Sequence, residues 1–592
     1  MQQIDFVILF LYLVGVLAVG LVFATRNKTS ADMFTAGGQS PWWVAGLSGF
    51  MTMFSAGTFV VWGGIAYKYG LVAVAINFCY GIAAILAGMT VAGRWKQSGI
   101  KTPAEYVQLR FGSTALHFYT WASMSFKVIS TAVALYSLCV LMVAMIPLDE
   151  GTPLRDSSTG NLSLNAAILL LGGVVIFYTM VGGLWGVLMT DVLQFIVLNL
   201  AVLFVVPLAL ADIGGFGSFL AEMPDGFMTP TGGGYTWLFL AGWVAVHYFV
   251  VGAEWAFVQR YLCVPSPGDA RRGTYLFGLL YLSSPLLWLL PPLIQRVRVP
   301  LPADATPEMT KMLAENAYID ACQAVLPAGM IGLMLAAMFS ATASMVSSQL
   351  NVFAGVLTND ILKPMLDDEA GEGLMVWSGR AFTVLLGAMI VGIAATIPSL
   401  GGAESVIVPA TSLMVGPLLA PLLVGLVSKK LPAATVWITA TICCGSILFV
   451  KVGQNDVASV SAIPGAATLV HWSASLGRST DVLLGVVLPT VVVLLCLLRA
   501  REVSPGWTRL AALPTATASD PAPRASRTPA TVVGWSLIAC GSMMVALALW
   551  ADDGRSILVL FGVVLLGLAT LVFYVAGRFS TFGCKGLADA EA

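Results

Sequence analysis

The sequence predicts an all-α polytopic membrane protein with about 15 transmembrane spans. Composition is the first reason, because 58% of the 592 residues are hydrophobic and only 10% are charged. Soluble domains contain roughly a quarter of charged residues, so a water-soluble fold could not bury this much apolar surface. The second reason is a series of long apolar segments, and the third is the placement of basic residues between them. The net charge of −1 says nothing about nucleic acid, but the sequence has no basic tract that would bind it, so no nucleic-acid partner is expected.

Each span is predicted from an apolar segment that approaches the roughly 20 residues needed to cross a bilayer. The first segment lacks a basic region and a small-residue cleavage site, so we expect a retained span and not a signal peptide. The predicted spans are residues 4–24, 41–67, 71–92, 116–146, 164–184, 186–211, 235–259, 274–294, 328–357, 380–398, 405–428, 433–450, 480–498, 532–550 and 557–577.

The basic residues support this order of spans. With the N-terminus outside, the cytoplasmic loops and tail hold 20 of the 29 Lys and Arg residues, Arg260 among them, and the outer loops hold eight. The remaining one, Lys127, lies within a span. Positive charge concentrates on the cytoplasmic side of membrane proteins. We therefore expect a multi-pass protein of the plasma (bacterial inner) membrane with its C-terminus in the cytoplasm.

The last part of the chain is predicted to be accessory. Two peripheral spans in residues 429–500 precede a Pro-, Ala-, Ser- and Thr-rich stretch at 501–530, a composition typical of a cytoplasmic linker. Residues 531–592 form a C-terminal hairpin and short tail with very few polar residues. We expect this hairpin to lie outside any transport path.

Four ionisable residues fall within the predicted spans: Lys127, Asp191, His247 and Glu254. Such residues are costly in a membrane and by default indicate a functional site. Each also has a simpler interpretation. Asp191 and Glu254 could lie at hydrated helix ends, Lys127 could pair with one of the acids, and His247 could be a hydrogen-bonded packing residue.

Two spans look broken. "FMTMFSAGTFVVWGGIAYKYG" places Gly57, Gly63 and Gly64 among hydroxyls, and "GWVAVHYFVVGAEWAF" places Gly252 beside Glu254. They are spans 2 and 7, each opening a block of five, and interrupted helices at matching positions indicate the binding site of a transporter. The alternative is that these glycines allow close helix packing.

A polar stripe crosses an otherwise apolar span. In "AAMFSATASMVSSQLN" five residues share one helical face and Thr342 points elsewhere. Hydroxyl and carbonyl oxygens suit a hard cation, although small polar residues also pack helices in lipid. The stripe consists of Ser340, Ser344, Ser347, Ser348 and Asn351.

These segments resemble the sodium/solute symporter family, which includes sodium-coupled sugar, proline, sialic acid and monocarboxylate transporters. The likeness covers roughly residues 1–500 and rests on "PWWVAGLSGFMTMFSAGTF", "GGLWGVLMTDVLQ", "VQRYLCVPSPGDARR", "LWLLPPLIQRV" and "GLMLAAMFSATASMVSSQLNVFAGVLTNDI". The resemblance implies two inverted five-helix repeats, each with a broken first helix, plus peripheral helices. The repeats would be residues 41–211 and 212–428, after an N-terminal span and loop at 1–40.

The resemblance also implies sodium (Na⁺) as the coupling ion. A sodium site shared across the family would use the carbonyls of Met51, Phe54 and Ala341 and the hydroxyl of Ser344. Its second hydroxyl position is Met345 here, a departure that weakens the expected binding. A second sodium site, present in some members, would use Asp191, Ser344, Ser347 and Ser348. No transition-metal site is expected, since the cysteines are scattered.

The implied activity is sodium-coupled symport of a small polar organic solute, with a sugar or related solute favoured. Candidate substrate residues are Thr58 and Asn77, where sugar-transporting relatives carry glutamine and glutamate, together with Lys127, His247 and Glu254. The sugar-binding set is therefore not reproduced. Neither substrate identity nor oligomeric state can be predicted.

Three alternatives remain. The same fold could work as a proton-coupled or sodium-independent carrier, which Met345 favours, with Asp191 or Glu254 carrying the proton. It could also be a transporter-like sensor. An enzyme is the least favoured, because no nucleophile–base pair, phosphate loop or metal cluster is recognisable.

Overall fold

The computed structural model describes residues 3–24, 29–302, 304–327, 329–366, 371–400, 403–455, 464–476, 479–513, 528–549 and 555–588. Within these ranges the chain is helical apart from turns and isolated β-bridges, so the all-α prediction is confirmed. Among the described residues, eight helices are long and apolar enough to cross a membrane, or up to ten if each of two bent pairs is one span. The count of fifteen stays a prediction.

The N-terminal part runs from the first helix to a helix of 49 residues that covers two predicted spans. That helix bends at Gly183, whose φ of 55° is unfavourable for residues with a side chain. The helices are α1 (Gln3–Ala24), α2 (Ser30–Thr35), α3 (Trp42–Met53), α4 (Gly63–Tyr69), α5 (Val72–Ala87), α6 (Gly93–Gln97), α7 (Pro103–Phe111), α8 (Ser113–Met145) and α9 (Leu164–Asp212).

The middle part contains the second broken helix and the polar stripe. Its helices are α10 (Phe216–Glu222), α11 (Trp237–Ala253), α12 (Trp255–Leu262), α13 (Pro267–Ser283), α14 (Pro285–Trp288), α15 (Leu290–Arg298), α16 (Pro307–Val325), α17 (Met330–Val356), α18 (Glu372–Thr396) and α19 (Ala403–Val427). Helix α16 lies in a predicted loop. Thr306 caps it by accepting from the Met309 N–H, with proline at its first position, a start signal visible in the sequence.

The C-terminal part consists of α20 (Ala434–Asn455), α21 (Ala466–Ser475), α22 (Ser479–Val482), α23 (Leu488–Arg499), α24 (Pro505–Ala511), α25 (Thr528–Ala548) and α26 (Arg555–Ala588). The hairpin of α25 and α26 rests on the rest of the protein, since Phe561 is 1% exposed and its ring lies 5.2 Å from that of Phe204 on α9.

The predicted linker needs correction at its start. Residues 504–511 are not a linker, because Ser504 caps α24 and this helix packs on α7. The buried guanidinium of Arg110 donates to Ser504 Oγ at 2.6 Å and to the carbonyls of Gly425 and Ser428, both at 3.0 Å. A buried Arg needs such acceptors, and α24 supplies one of them. Residues 514–527 of the predicted linker lie outside the described residues.

Two spans are broken where the sequence predicts. Helix α3 and the helical segment Thr58–Tyr69, which ends with α4, are bent by 64° across a break of four residues, and α11 and α12 are bent by 52°. The predicted cause is wrong, however. Extended backbone occurs at Phe54 (φ −93°, ψ 134°) and Glu254 (φ −66°, ψ 135°), whereas Gly57 is helical. Non-glycine residues adopt these angles without strain.

The glycines near the breaks instead permit close packing. A Cβ on Gly64 would lie 3.1 Å from the Ala314 carbonyl oxygen of α16, and one on Gly252 would lie 2.8 Å from the Leu423 side chain of α19. Small residues at helix contacts allow this approach in membrane proteins. The helix breaks and the glycines are therefore separate features of the same two spans.

Helix α17, which carries the polar stripe, is the most buried of the candidate spans in the described ranges, with 89% of its apolar window inside the protein. It packs against α1, α3, α8, α9 and α18. The carboxylate of Asp5 on α1 accepts from the backbone N–H groups of Gly329 (2.7 Å) and Gly332 (2.9 Å) at the start of α17. These donors have no partner within the helix itself, so α1 caps α17 from outside.

Candidate functional site

The first helix break lies against the polar helix α17. The backbone N–H of Ala56 donates to the Thr342 hydroxyl at 2.9 Å, and the Thr52 and Ser348 hydroxyls are 3.2 Å apart. Ala56 lies at the start of the helical segment that follows the break. Backbone N–H groups in the first turn of a helix have no acceptor within that helix. Thr342 thus lies off the stripe, as predicted, and its hydroxyl contacts the break.

These two contacts bring the two chain segments that carry the proposed shared sodium site against each other. Phe54 lies between Thr52 and Ala56, and Met51 directly precedes Thr52. On α17, Ala341 and Ser344 are one and two positions from Thr342. All four residues are buried. The buried Ser344 hydroxyl faces the Asp191 carboxylate. A buried hydroxyl beside a helix break and a carboxylate fits a cation ligand.

The two ends of the polar stripe bond to neighbouring helices, and its middle does not do so in the same way. At its upper end Ser340 bonds to Tyr12 of α1, and at its lower end Asn351 accepts from Gln259 at 2.9 Å. Ser340 and Asn351 therefore hold helices together, which is the alternative role predicted for small polar residues in a membrane. In the middle, Ser347 donates to the Ser344 carbonyl at 3.1 Å, within its own helix. Only the middle of the stripe is therefore left for an ion.

Asp191 is fully buried on α9, not at a hydrated helix end. Its Oδ2 accepts from the Ser48 hydroxyl and lies 3.7 Å from an Arg260 guanidinium nitrogen. Arg260 also donates to Ser48 Oγ at 3.1 Å and to Ser348 Oγ at 2.5 Å. Two of the residues proposed for the second sodium site, Asp191 and Ser348, thus both contact the same guanidinium.

Arg260 is a correction to the sequence analysis, which placed it in a cytoplasmic loop. It is 3% exposed because the broken span continues as α12 to Leu262, beyond its predicted end at residue 259. One feature of the sequence could have shown that the helix continues. No helix-terminating residue stands between the break and the Gln259–Arg260 pair. A charged residue at the end of an apolar segment looks like a residue of the following loop. The partner of Arg260, Asp191, lies 69 positions earlier, so the local sequence does not reveal the pair.

Lys127, Glu254 and Gln349 form a second buried polar group. Lys127 Nζ lies 2.7 Å from Glu254 Oε1, and the Gln349 amide donates to the same oxygen at 2.9 Å. The three residues line a cavity together with Trp255 and Phe353. The pairing interpretation of Lys127 therefore matches the structure, and Glu254 is the residue that breaks the helix.

The other proposed substrate residues lie apart from that ion pair. Asn77 donates to the Ala73 carbonyl at 2.8 Å, one turn back in its own helix. Thr58 is buried just after the first break, where its hydroxyl is 3.5 Å from the Ser55 backbone nitrogen. His247 Nδ1 lies 2.9 Å from the Trp243 carbonyl oxygen, as expected for a packing histidine.

An aromatic cluster surrounds His247, and the sequence analysis missed it. The Tyr80 ring centroid is 3.9 Å from that of His247, 5.3 Å from that of Tyr281 and 6.3 Å from that of Trp62. The Trp243 ring meets the Trp62 ring edge to face, with centroids 6.2 Å apart, and lies 4.6 Å from the His247 ring. Its indole N–H faces the Tyr80 hydroxyl. The rings come from four segments, with Trp243 and His247 together on α11, so no local motif marks the whole cluster.

Comparison with known proteins finds relatives among sodium-coupled transporters. The model of the sodium:solute symporter family matches residues 33–436. The sodium/sialic acid symporter NanT of Aliivibrio fischeri is 26% identical over 471 residues, covering 76% of this chain and 88% of that protein. The sodium/glucose cotransporter of Vibrio parahaemolyticus is 28% identical over 465 residues, covering 72% and 81%.

A solved structure shows the same fold. A substrate-bound, outward-open Na⁺-coupled sialic acid symporter superposes with a TM-score of 0.64 at 22% identity, over 83% of this chain and 98% of that one. The prediction of a transporter fold with two broken helices is confirmed at this level.

Proposed function

The chain belongs to the sodium:solute symporter family, and we propose that the solute it carries with sodium is neutral and polyhydroxylated, such as a sugar or cyclic polyol. The observation that carries the proposal is the aromatic cluster of Trp62, Tyr80, Trp243, His247 and Tyr281 between the two broken helices. Aromatic side chains pack against the apolar faces of ligands, while a few polar groups fix their orientation. The Trp243 indole N–H and the Tyr80 hydroxyl, which face each other in this cluster, are such groups.

Charge favours a neutral solute. Relatives of this chain are named for sialic acid, which carries a carboxylate, and for glucose and myo-inositol, which do not. The two cations beside the helix breaks, Lys127 and Arg260, are each paired with a carboxylate. A carboxylate solute would have to break one of these pairs and leave an acid uncompensated. A neutral solute leaves both pairs intact.

Uptake into proteoliposomes tests this proposal. We expect an inward sodium gradient to drive accumulation of a neutral sugar or polyol, and an equal potassium gradient to drive none. Sialic acid and glucuronate serve as charged counterparts of similar size and should not compete. Accumulation of the sugar acids, with neutral sugars inert, would contradict the assignment of the solute class.

The membrane orientation belongs to the same proposal. We place the protein in the plasma (bacterial inner) membrane with the N-terminus outside and the C-terminus in the cytoplasm. Removing Arg260 from the cytoplasmic set still leaves more than twice as many basic residues inside as outside. Transport requires no chemical step, so we propose no enzymatic activity.

Met345 supplies a prediction about the shared sodium site. It is half-buried between fully buried neighbours on α17. A thioether is a poor ligand for a hard cation, so the proposed site holds the Met51, Phe54 and Ala341 carbonyls and the Ser344 hydroxyl. Met345→Ser adds an oxygen. A gain of about 1 kcal/mol corresponds to roughly fivefold tighter sodium binding.

Calorimetric or tryptophan-fluorescence titration with sodium measures this effect. Met345→Ala is the matched control, because it removes the same bulk without adding a hydroxyl. Both variants should melt slightly below wild type, and only Met345→Ser should bind sodium more tightly. Equal sodium affinities of the two variants would show that residue 345 does not face the ion.

A further inference from the structure

Helices α19 and α23 end side by side, and basic residues stand at both ends. Helix α19 is followed by Lys429 and Lys430. Helix α23 ends with Arg499, and Arg501 lies two positions further on. The backbone N–H of Ser504 donates to the Lys429 carbonyl oxygen at 3.0 Å. This hydrogen bond brings the two basic ends of the chain together.

Helix α24 adds a fifth cation and is held in place against α7. Arg509 is exposed on this helix, and its Nε donates to the Leu109 carbonyl at 3.1 Å. The first turn fits closely, since a Cβ on Gly506 would lie 1.9 Å from the Arg110 carbonyl oxygen. The Arg110 guanidinium also joins Ser504 to the end of α19. The five cations are named the basic patch and are Lys429, Lys430, Arg499, Arg501 and Arg509.

The basic patch carries more positive charge than its surroundings compensate. All five side chains are exposed, and none forms an ion pair with an acid of the described ranges. Glu502 is the only acid in residues 427–433 and 499–513, so five cations and one acid leave a net charge of +4. On α7, the carboxylate of Glu105 accepts from the Lys101 backbone N–H at the start of that helix. The patch therefore attracts anions.

The basic patch lies at the level of the phospholipid headgroups. Exposed apolar residues precede it on both helices, with Val427 48% exposed at the end of α19 and Leu498 81% exposed directly before Arg499. Such residues on a membrane helix face the hydrocarbon, so the cations that follow them lie where the hydrocarbon ends. Trp507 is half-buried on α24 between the two, and tryptophan is enriched at this level of a membrane.

We propose that the basic patch binds the phosphate headgroup of an anionic phospholipid, in the leaflet where α19 and α23 end. Arg and Lys bind phosphate through charge-assisted hydrogen bonds, and clusters of them next to a membrane helix attract anionic lipids. The acyl chains would lie along the exposed Leu495 and Leu498 of α23. A free phosphate ion lacks this second contact, which favours the lipid. The inference is independent of the solute that the protein carries.

A lipid at this place would stabilise the fold through α24. Arg501 and Arg509 flank the Ser504 hydroxyl that accepts from Arg110. One headgroup in contact with both cations would hold α24 against α7 and the end of α19. We therefore expect anionic lipid to raise the melting temperature of the whole protein.

The test compares phosphatidylglycerol with phosphatidylcholine of the same acyl chains, added to the purified full-length protein in a neutral detergent. Phosphatidylglycerol should raise the melting temperature more, and native mass spectrometry should find it retained. Lys430→Gln combined with Arg501→Gln should bind it about 25-fold more weakly, since each cation near a membrane surface contributes about fivefold. Both side chains are exposed, so melting in phosphatidylcholine should not change.

Two matched variants separate this site from net charge. Arg272→Gln combined with Lys363→Gln removes the same charge at exposed positions of other predicted cytoplasmic loops and should retain phosphatidylglycerol like wild type. Lys430→Arg combined with Arg501→Lys keeps both charges and should also retain it. Raising potassium chloride on wild type needs no variant, and it should abolish the preference for phosphatidylglycerol by screening the charges.

The outcomes decide the proposal. Loss of phosphatidylglycerol from Lys430→Gln with Arg501→Gln, and not from the two matched variants, supports it. Equal stabilisation of wild type by both lipids would overturn it, as would equal loss from Arg272→Gln with Lys363→Gln. Inorganic phosphate that stabilises wild type as well as phosphatidylglycerol does would show that the patch binds a soluble anion and not a lipid.

Discussion

Asp191→Asn is expected to lower the free energy of unfolding by about 3–5 kcal/mol, because it leaves the buried charge of Arg260 without a counter-charge. The substitution keeps the shape of the side chain and an acceptor for the Ser48 hydroxyl. The loss therefore comes from charge and not from a cavity.

Thermal melting in detergent measures this loss. Asp191→Asn combined with Arg260→Gln should recover much of the stability, since it removes both charges. Asp269→Asn is the surface control. Its partner Arg272 is 69% exposed, and such pairs contribute roughly 0–1 kcal/mol. A single Asp191→Asn variant that melts like wild type would mean that the 3.7 Å contact is not an ion pair in the membrane.

Ending the chain after Arg501 is expected to destabilise the protein more than ending it after Leu513. The shorter form loses the Ser504 hydroxyl that accepts from Arg110, a hydrogen bond to a charged group worth about 1.5–3 kcal/mol. It also loses the buried Leu510, worth roughly 1.5–3 kcal/mol, and the bond from Arg509 to the Leu109 carbonyl.

The longer form isolates the hairpin. Truncation after Leu513 keeps α24 on α7 and removes the helices α25 and α26, which we expect to be dispensable for transport. Uptake and melting temperature of both truncated forms should be compared with wild type. If the two forms melt together, α24 contributes nothing, and if the longer form folds but fails in uptake, the hairpin belongs to the transport path.

The sequence predicted the breaks in spans 2 and 7 but not their cause. Glycine is visible in a sequence and an extended backbone at Phe54 or Glu254 is not, because those angles are open to any residue. Tertiary contacts fix these backbone angles. Thr342 satisfies a backbone donor at the first break from a helix almost 290 positions away, and local patterns carry no such information.

Only part of the candidate site could be predicted, for a related reason. Periodicity shows which residues share the face of α17, and intramembrane charge marks Asp191. Neither shows which helix lies opposite, so the partner of Asp191 was found only in the structure. The aromatic cluster was missed because each ring lies in an apolar segment that needs no explanation by itself.

The contact between Asp5 and the start of α17 bears on the unit that moves when the transporter changes its accessible side. Gly332 lies so close to the Asp5 backbone that an added Cβ would overlap its carbonyl oxygen, and Tyr12 binds Ser340 farther along the same pair of helices. Sliding α1 along α17 would break all of these contacts in an apolar medium where water cannot replace them. We therefore expect the N-terminal helix to move with α17 as one rigid body, although the predicted boundary at residue 40 puts it outside both repeats.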